Sequence, residues 1–306
     1  MDKHNFNSLK SESSFERMKK QNKRLVGIIC AIIAAILWGL GTPFGKIASE
    51  NYDSIALASI VSLVGSLSLF LISFVTYKQL PRIRLKSIWL YVGMGILGFA
   101  IPSTMTLLAY RLTLAINVSF LLRVQVFLVL LYGMIFFHEK INLRQLFGLV
   151  LGFLGVFLFV TNLHLEVNLG DLVVLGSTIF WASYLIFSKK LLKEGMDPIT
   201  LGSIRFGIAS IPLILISLTF NLYSPFSFRQ VIALLIYTFA IFVIGTTLYN
   251  VAIKHLEIWK ASAIAEFLSI ISSGISVWLI LGEVLTLLKI IGGILIITGV
   301  LLAIKP

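Results

Sequence analysis

Residues 138–156, HEKINLRQLFGLVLGFLGV, are rewritten as residues 282–300, GEVLTLLKIIGGILIITGV, at a constant offset of 144 positions. Glu139 aligns with Glu283, Gly148 with Gly292 and Gly155 with Gly299, and the echo reaches back to residues 109 and 253. The fronts of the two copies agree as well. LWGLGTPFGKIA has Trp38 eight residues before Lys46, and FWASYLIFSKKL has Trp181 eight residues before Lys189. Repetition on this scale, in a chain made of apolar runs, implies two related membrane-embedded halves with a site at the interface between them.

Composition supports the membrane reading independently. The chain is 58% hydrophobic and 12% charged, where a soluble domain runs nearer about one half and one quarter. The lone cysteine, Cys30, excludes an intrachain disulfide and leaves thiol–metal chemistry without a second sulfur ligand. No GxxxxGK[ST] phosphate loop occurs and the connections are too short for a nucleotide-binding domain, so no cofactor and no ATP-driven pump are expected. Residues 1–24 are polar and carry seven Lys and Arg. Lacking a short apolar core followed by a small-residue cleavage site, they are expected to form a cytoplasmic tail.

Ten windows have the roughly 20 apolar residues that a helix needs to cross a hydrocarbon core of about 30 Å. They fall at 25–48, 55–77, 88–110, 115–137, 146–163, 169–187, 199–222, 231–253, 261–281 and 285–304. In this ten-span frame, nineteen Lys and Arg lie on one side and four (Lys46, Arg111, Arg229 and Lys289) on the other. The excess places both termini in the cytoplasm. The net charge of +12 is then a topology signal facing anionic lipid, and it requires no nucleic-acid partner.

The expected fold is therefore an all-α integral membrane protein of ten transmembrane helices. A first five-helix repeat occupies 25–163 and a second 169–304. Five is odd, so the second copy enters the bilayer inverted. Lys46 then falls at the outer end of helix 1 and Lys189 at the inner end of helix 6, the mirror relation that inversion demands.

Each half opens with a tryptophan helix and closes with a Glu-bearing segment before a Gly-rich last helix. In these features the chain resembles the EamA-like branch of the drug/metabolite transporter superfamily over residues 25–304. The resemblance implies transport of a small molecule through a central site lined by helices 1, 3, 4, 6, 8 and 9, and leaves the cargo open. Arg205 and Phe206 resemble the family's second-helix arginine motif, while the aligned positions of the first half are Val61 and Ser62.

Three ionisable side chains fall inside spans, where each costs about 2.5–3.5 kcal/mol on insertion scales and so needs a reason. Glu266, about five residues into helix 9, reads either as an interfacial or ion-paired carboxylate or as a proton-coupling group. Arg205, about six residues into the parallel helix 7, can be level with it and is a candidate partner, with the pairing itself left open. Arg123, about eight residues into helix 4 from the outer side, is left roughly 10 Å or more from Glu266, so a bridge between those two is disfavoured. With Gln125, Ser119 and Asn117 nearby, Arg123 reads either as bonded to helix carbonyls or as a capture point for an anionic cargo. Trp38 and Trp181 fall near mid-span, and Tyr184 follows Trp181 on a neighbouring part of the same face. They are candidates to wall a cavity and stack on cargo, with Tyr110, Tyr249 and Asn250 as weaker candidates. Pro43, flanked by Gly41 and Gly45, is the gate or hinge candidate. Glu139 and Glu283 are read as caps of the fourth and ninth helices, and His138, His164 and His255 as edge or loop residues.

Three function classes remain in view. The leading one is a secondary active transporter in the cell membrane. It exports an amino acid or related metabolite by alternating access, with proton coupling as a sub-hypothesis. Quaternary amines or drugs are the alternative cargo. A lipid translocase or passive channel ranks below, and a membrane enzyme would need an intramembrane nucleophile and base that the sequence lacks. The expected partners are a small-molecule substrate, the bilayer and protons, in a monomer or a homodimer.

Overall fold

The computed structural model describes residues 3–78, 85–137, 142–161, 168–256, 258–284 and 286–304. Among these the chain forms ten long helices. The first half holds α1 (Lys3–Ser49), α2 (Ser54–Tyr77), α3 (Ile88–Leu112), α4 (115–137) and α5 (Leu143–Thr161). The second holds α6 (Leu169–Lys193), α7 (Pro198–Thr219), α8 (Phe228–His255), α9 (Ile258–Leu281) and α10 (Leu287–Ile304). Seven contain a stretch long and apolar enough to cross a membrane. The other three hold shorter apolar stretches, at Ala115–Val129, Leu146–Gly155 and Leu287–Gly299. The segment 1–24, expected as a polar cytoplasmic tail, is helical from Lys3 and continuous with α1. Its Lys-, Arg-, Glu- and Ser-rich composition carries no helix breaker, so nothing stops the helix from propagating out of the apolar run.

Local chemistry repeats between the halves. Asp53 caps α2, its Oδ1 accepting from the Ile55 and Ala56 amides at 2.8 and 3.1 Å. Asp197 caps α7 in the same way, accepting from Ile199 and Thr200 at 3.0 and 2.8 Å. Each cap satisfies orphan N–H groups of a first turn and is worth about 1 kcal/mol. The lysines of the two opening helices also match. Lys46 Nζ donates to the carbonyls of Tyr110 and Thr113 at the end of α3, and Lys189 Nζ to those of Ile253 and Leu256 at the end of α8. Both cations therefore sit on the negative pole of a helix two elements on.

The halves meet along small-residue seams. Along α2 and α7, Ser66 Oγ donates to Ser203 O at 3.0 Å, Ser203 Oγ returns a bond to Ser66 O at 3.4 Å, and the Ser73 and Thr200 hydroxyls lie 2.9 Å apart. Numbers rise on one helix as they fall on the other, so the two run antiparallel. In α5 and α10 the contact is closer still: a Cβ on Gly155 would lie 2.6 Å from Gly292 O, and one on Gly299 2.5 Å from Gly148 O. Helix backbones approach this closely only where side chains are absent. The outer surface is the reverse, with Val75, Trp89, Ile211 and Phe220 more than half exposed.

Two π-helical turns interrupt the spans at related places, Ile96–Ala100 in α3 and Thr238–Gly245 in α8. Ile101 N reaches back five residues to Ile96 O, and Thr246 N to Ile241 O. Such bulges release carbonyls from the ordinary ladder and are frequent at functional sites. Proline does the same: Pro43 cannot bond Gly39 O, which accepts Ser276 Oγ of α9 at 2.8 Å instead. A short 3₁₀ turn, Leu122–Val124, breaks α4 at Arg123.

Candidate functional site

A cavity of about 100 Å³ lies where the halves meet. Trp38 and Tyr110 of the first half and Trp181, Tyr184 and Tyr249 of the second contribute its aromatic wall, and Arg123, Gln125 and Arg205 its polar one. Carbonyls of the two π turns hold two of these side chains. Trp38 Nε1–H of α1 donates to Ile241 O in the α8 π turn at 3.2 Å. Arg205 Nη2 of α7 donates to Gly98 O in the α3 π turn at 2.5 Å, a carbonyl whose usual partner would be residue 102, which is proline. Trp181 Nε1–H bonds Thr106 Oγ1 at 3.1 Å, and that hydroxyl donates to Pro102 O at 2.7 Å.

Charge is distributed unevenly around the cavity. Arg123 and Glu266 form a buried ion pair, with Gln125 Nε2 also donating to Glu266 and Arg123 Nη1 to Ser269 Oγ at 2.6 Å. Arg123 Nε additionally bonds Ser119 O at 3.0 Å. Arg205 is buried among rings, its guanidinium carbon 3.6 Å from the Tyr184 centroid, 5.2 Å from Phe99 and 5.4 Å from Trp181. Among the described residues no group of three or more His, Cys, Asp or Glu is placed to hold a metal ion.

The EamA-like transporter family profile matches residues 25–161 and, again, residues 168–305. The chain belongs to the EamA-like transporter family. It is similar to an uncharacterized transporter of Methanothermobacter thermautotrophicus, 25% identical over 91% of this chain and 86% of that one. It is also similar to a probable amino-acid metabolite efflux pump of Escherichia coli K12, 23% identical over 89% of this chain and 92% of the relative. The corresponding pump of Salmonella typhimurium is 22% identical over 88% and 91%. One solved crystal structure shares the fold with a TM-score of 0.64 at 13% identity, covering 90% of this chain and 96% of its own.

Within this EamA-like fold, two expectations about the buried charges are overturned. Arg123 and Glu266, predicted to be too far apart, are paired. Arg205, a candidate partner of Glu266, contacts Gly98 O and the aromatic rings instead. The reason lies in helix starts. Because α9 begins at Ile258 rather than 261, Glu266 is eight residues deep, as is Arg123 in α4. In the ten-span frame expected from sequence, two depths of about 12 Å from opposite faces would leave roughly 6 Å of a 30 Å core. The 3₁₀ turn at Arg123, rising about 2 Å per residue, and a long side chain close that gap. Equal depth on parallel helices did not bring Arg205 and Glu266 together, because α7 packs against α2 and α3 while α9 packs against α1.

Asn117 and Asn250 do not line the cavity. Asn117 Nδ2 donates to Thr113 Oγ1 at 3.0 Å and to buried Asp171, while its Oδ1 accepts from Lys289 at 2.8 Å. Asn250 Oδ1 accepts from the Tyr184 hydroxyl, behind the wall. Gly41 packs against Ile241, and Gly45 against Tyr237 and Tyr110, so the glycines flanking Pro43 let α8 close onto α1. Glu283 caps α4 rather than α9, accepting from the Ala115 and Ile116 amides at 3.1 and 2.9 Å. Orphan N–H groups of a helix start attract a carboxylate from whatever element reaches them. Glu139, His138 and His164 lie outside the described residues. Sequence reasoning missed Asp171, Thr106, Tyr237 and Phe242. Thr106 makes the ordinary threonine bond to the carbonyl four residues back, Pro102 O, which marks no site by itself; Tyr237 and Phe242 carried no signal within a uniformly apolar run.

Proposed function

We propose that this protein is a secondary active transporter that exports a small metabolite, an amino acid or related compound, across the cytoplasmic membrane by alternating access. In this reading all ten helices span the bilayer, both termini are cytoplasmic, and the two halves rock about the central cavity. The observation that carries the proposal is the Arg123–Glu266 pair, because its two members come from different halves and meet at the cavity wall. A buried pair between moving bodies is a latch: losing either charge leaves the other uncompensated in low dielectric. Protonation of Glu266 would release Arg123, coupling a proton to the change of access.

The quaternary-amine alternative is disfavoured by Arg205, whose guanidinium already lies over Tyr184 in the aromatic box such a cargo would fill. The test is efflux from proteoliposomes loaded with a mixture of amino acids, with and without an imposed pH gradient. Wild-type protein is expected to release a subset of them faster when protons run inward. Glu266→Gln is expected to flatten that pH dependence, and unchanged dependence in this variant would remove the coupling step.

A further inference from the structure

Arg205 is 1% exposed, yet it forms part of the cavity wall. Its Nη2 is used by Gly98 O, its Nε has no partner, and among the described residues the one ion pair is that of Arg123 with Glu266. A guanidinium carries five N–H donors and stays protonated. The ring faces around Arg205 attract its charge but accept few of its in-plane N–H groups. The cavity wall thus has two guanidinium groups, only one of them paired with a carboxylate, an excess of one positive charge. Behind Tyr184, Asn250 Nδ2 is a second buried donor with no partner. Of these two donors, the Arg205 Nε belongs to a residue of the cavity wall.

We infer that Arg205 is the anion-recognition group of this cavity and that the cargo presents a carboxylate to it. The inference rests on the transporter reading and names its substrate class: compounds with a carboxylate on a body that fits among aromatic rings, amino acids included. The role expected of Arg123 from sequence passes to Arg205, since Arg123 is neutralised by Glu266 while Arg205 is not. A planar fork of donors suits a carboxylate in two-point contact better than any lysine would. Binding restores neutrality to the wall, and a cationic cargo would compound the excess.

The experiment uses the purified full-length protein in detergent and three probes of nearly one shape: benzoate, benzamide and benzylamine. A ligand that binds only the folded state raises the unfolding midpoint in proportion to its affinity. Benzoate is expected to raise it saturably, with benzamide and benzylamine without effect, and chloride at matched ionic strength should not compete. Arg205→Gln should weaken benzoate by about tenfold or more, as loss of a charge-assisted contact does, and Arg205→Lys should recover part of it. Equal shifts from benzamide or benzylamine, no benzoate shift, or displacement of benzoate by chloride would each overturn the assignment. So would undiminished benzoate affinity in Arg205→Gln. If that variant does not fold, the discrimination among probes by the wild-type protein decides alone. Failure of the transport reading would show separately, as absence of flux in proteoliposomes from a protein that still separates benzoate from benzamide.

Discussion

Pro102 and Arg205 meet through one carbonyl. Proline has no N–H to offer Gly98 O four residues earlier, and Arg205, from the other half of the chain, takes that oxygen at 2.5 Å. Pro102→Ala restores a competing backbone donor and removes a helix-interior proline worth about 3 kcal/mol. The variant is expected to unfold at higher temperature than wild type and to transport more slowly, because Arg205 loses its anchor. Unfolding midpoint and proteoliposome flux, measured on the same preparation, check both halves of that statement.

The Arg123–Glu266 pair should respond asymmetrically to substitution. Glu266→Leu leaves a buried guanidinium without its carboxylate and is expected to cost about 3–5 kcal/mol, whereas the double change Arg123→Met with Glu266→Met should recover most of the loss. A double-mutant cycle by thermal or SDS unfolding gives the coupling energy directly. Additive effects of the two single changes would show that the pair is not coupled.

Lys46 and Lys189 perform the same task on α3 and α8, so their removal should have matching consequences. Lys46→Met and Lys189→Met keep the aliphatic stem and delete the cation that bonds two terminal carbonyls. Each is expected to destabilise by about 1–2 kcal/mol, the scale of a charge on a helix pole with its hydrogen bonds. Calorimetry in detergent should find the two values within a few tenths of a kcal/mol of each other, given uncertainties of that order in such comparisons.

Gly155 and Gly299 each face a carbonyl oxygen of the opposing helix at a distance no Cβ tolerates. Gly155→Ala and Gly299→Ala should each cost about 1–3 kcal/mol, since the obstacle is backbone and cannot rotate away. The double variant should lose less than the sum, because opening the seam for one methyl makes room for the other. Chemical denaturation of all three variants tests the shortfall.

Much of this architecture was legible because it is periodic. The 144-residue echo marked the two halves, and the Trp-to-Lys spacing flagged Lys46 and Lys189, although spacing alone gave no hint that both lysines reach carbonyls at the end of a helix two spans on. Trp38, Trp181, Tyr184, Arg123 and Arg205 were found as polar or amphipathic groups inside spans, and all line the cavity. What failed was pairing. Depth along a helix predicts which residues share a level, but which faces meet depends on packing around the bundle, so Arg205 was matched with Glu266 and Arg123 was not. The π turn of α3 had a proline to announce it; that of α8, at Thr238–Gly245, has none and was invisible in an apolar run.

The separation of Arg123 from Glu266 also has a consequence in time. A chain grows from its N-terminus at about 5–20 residues per second, so the 143 residues between them take roughly 7–29 s to make. For that interval α4 carries a buried cation whose partner has not been synthesised, and α3 carries a Gly98 carbonyl whose donor, Arg205, is still to come. The first half therefore enters the bilayer as an incomplete object. Whatever shelters it, whether lipid headgroups drawn inward, water or the insertion machinery, must release it once the second half arrives, and that makes assembly of the halves the step at which this protein is most exposed to quality control.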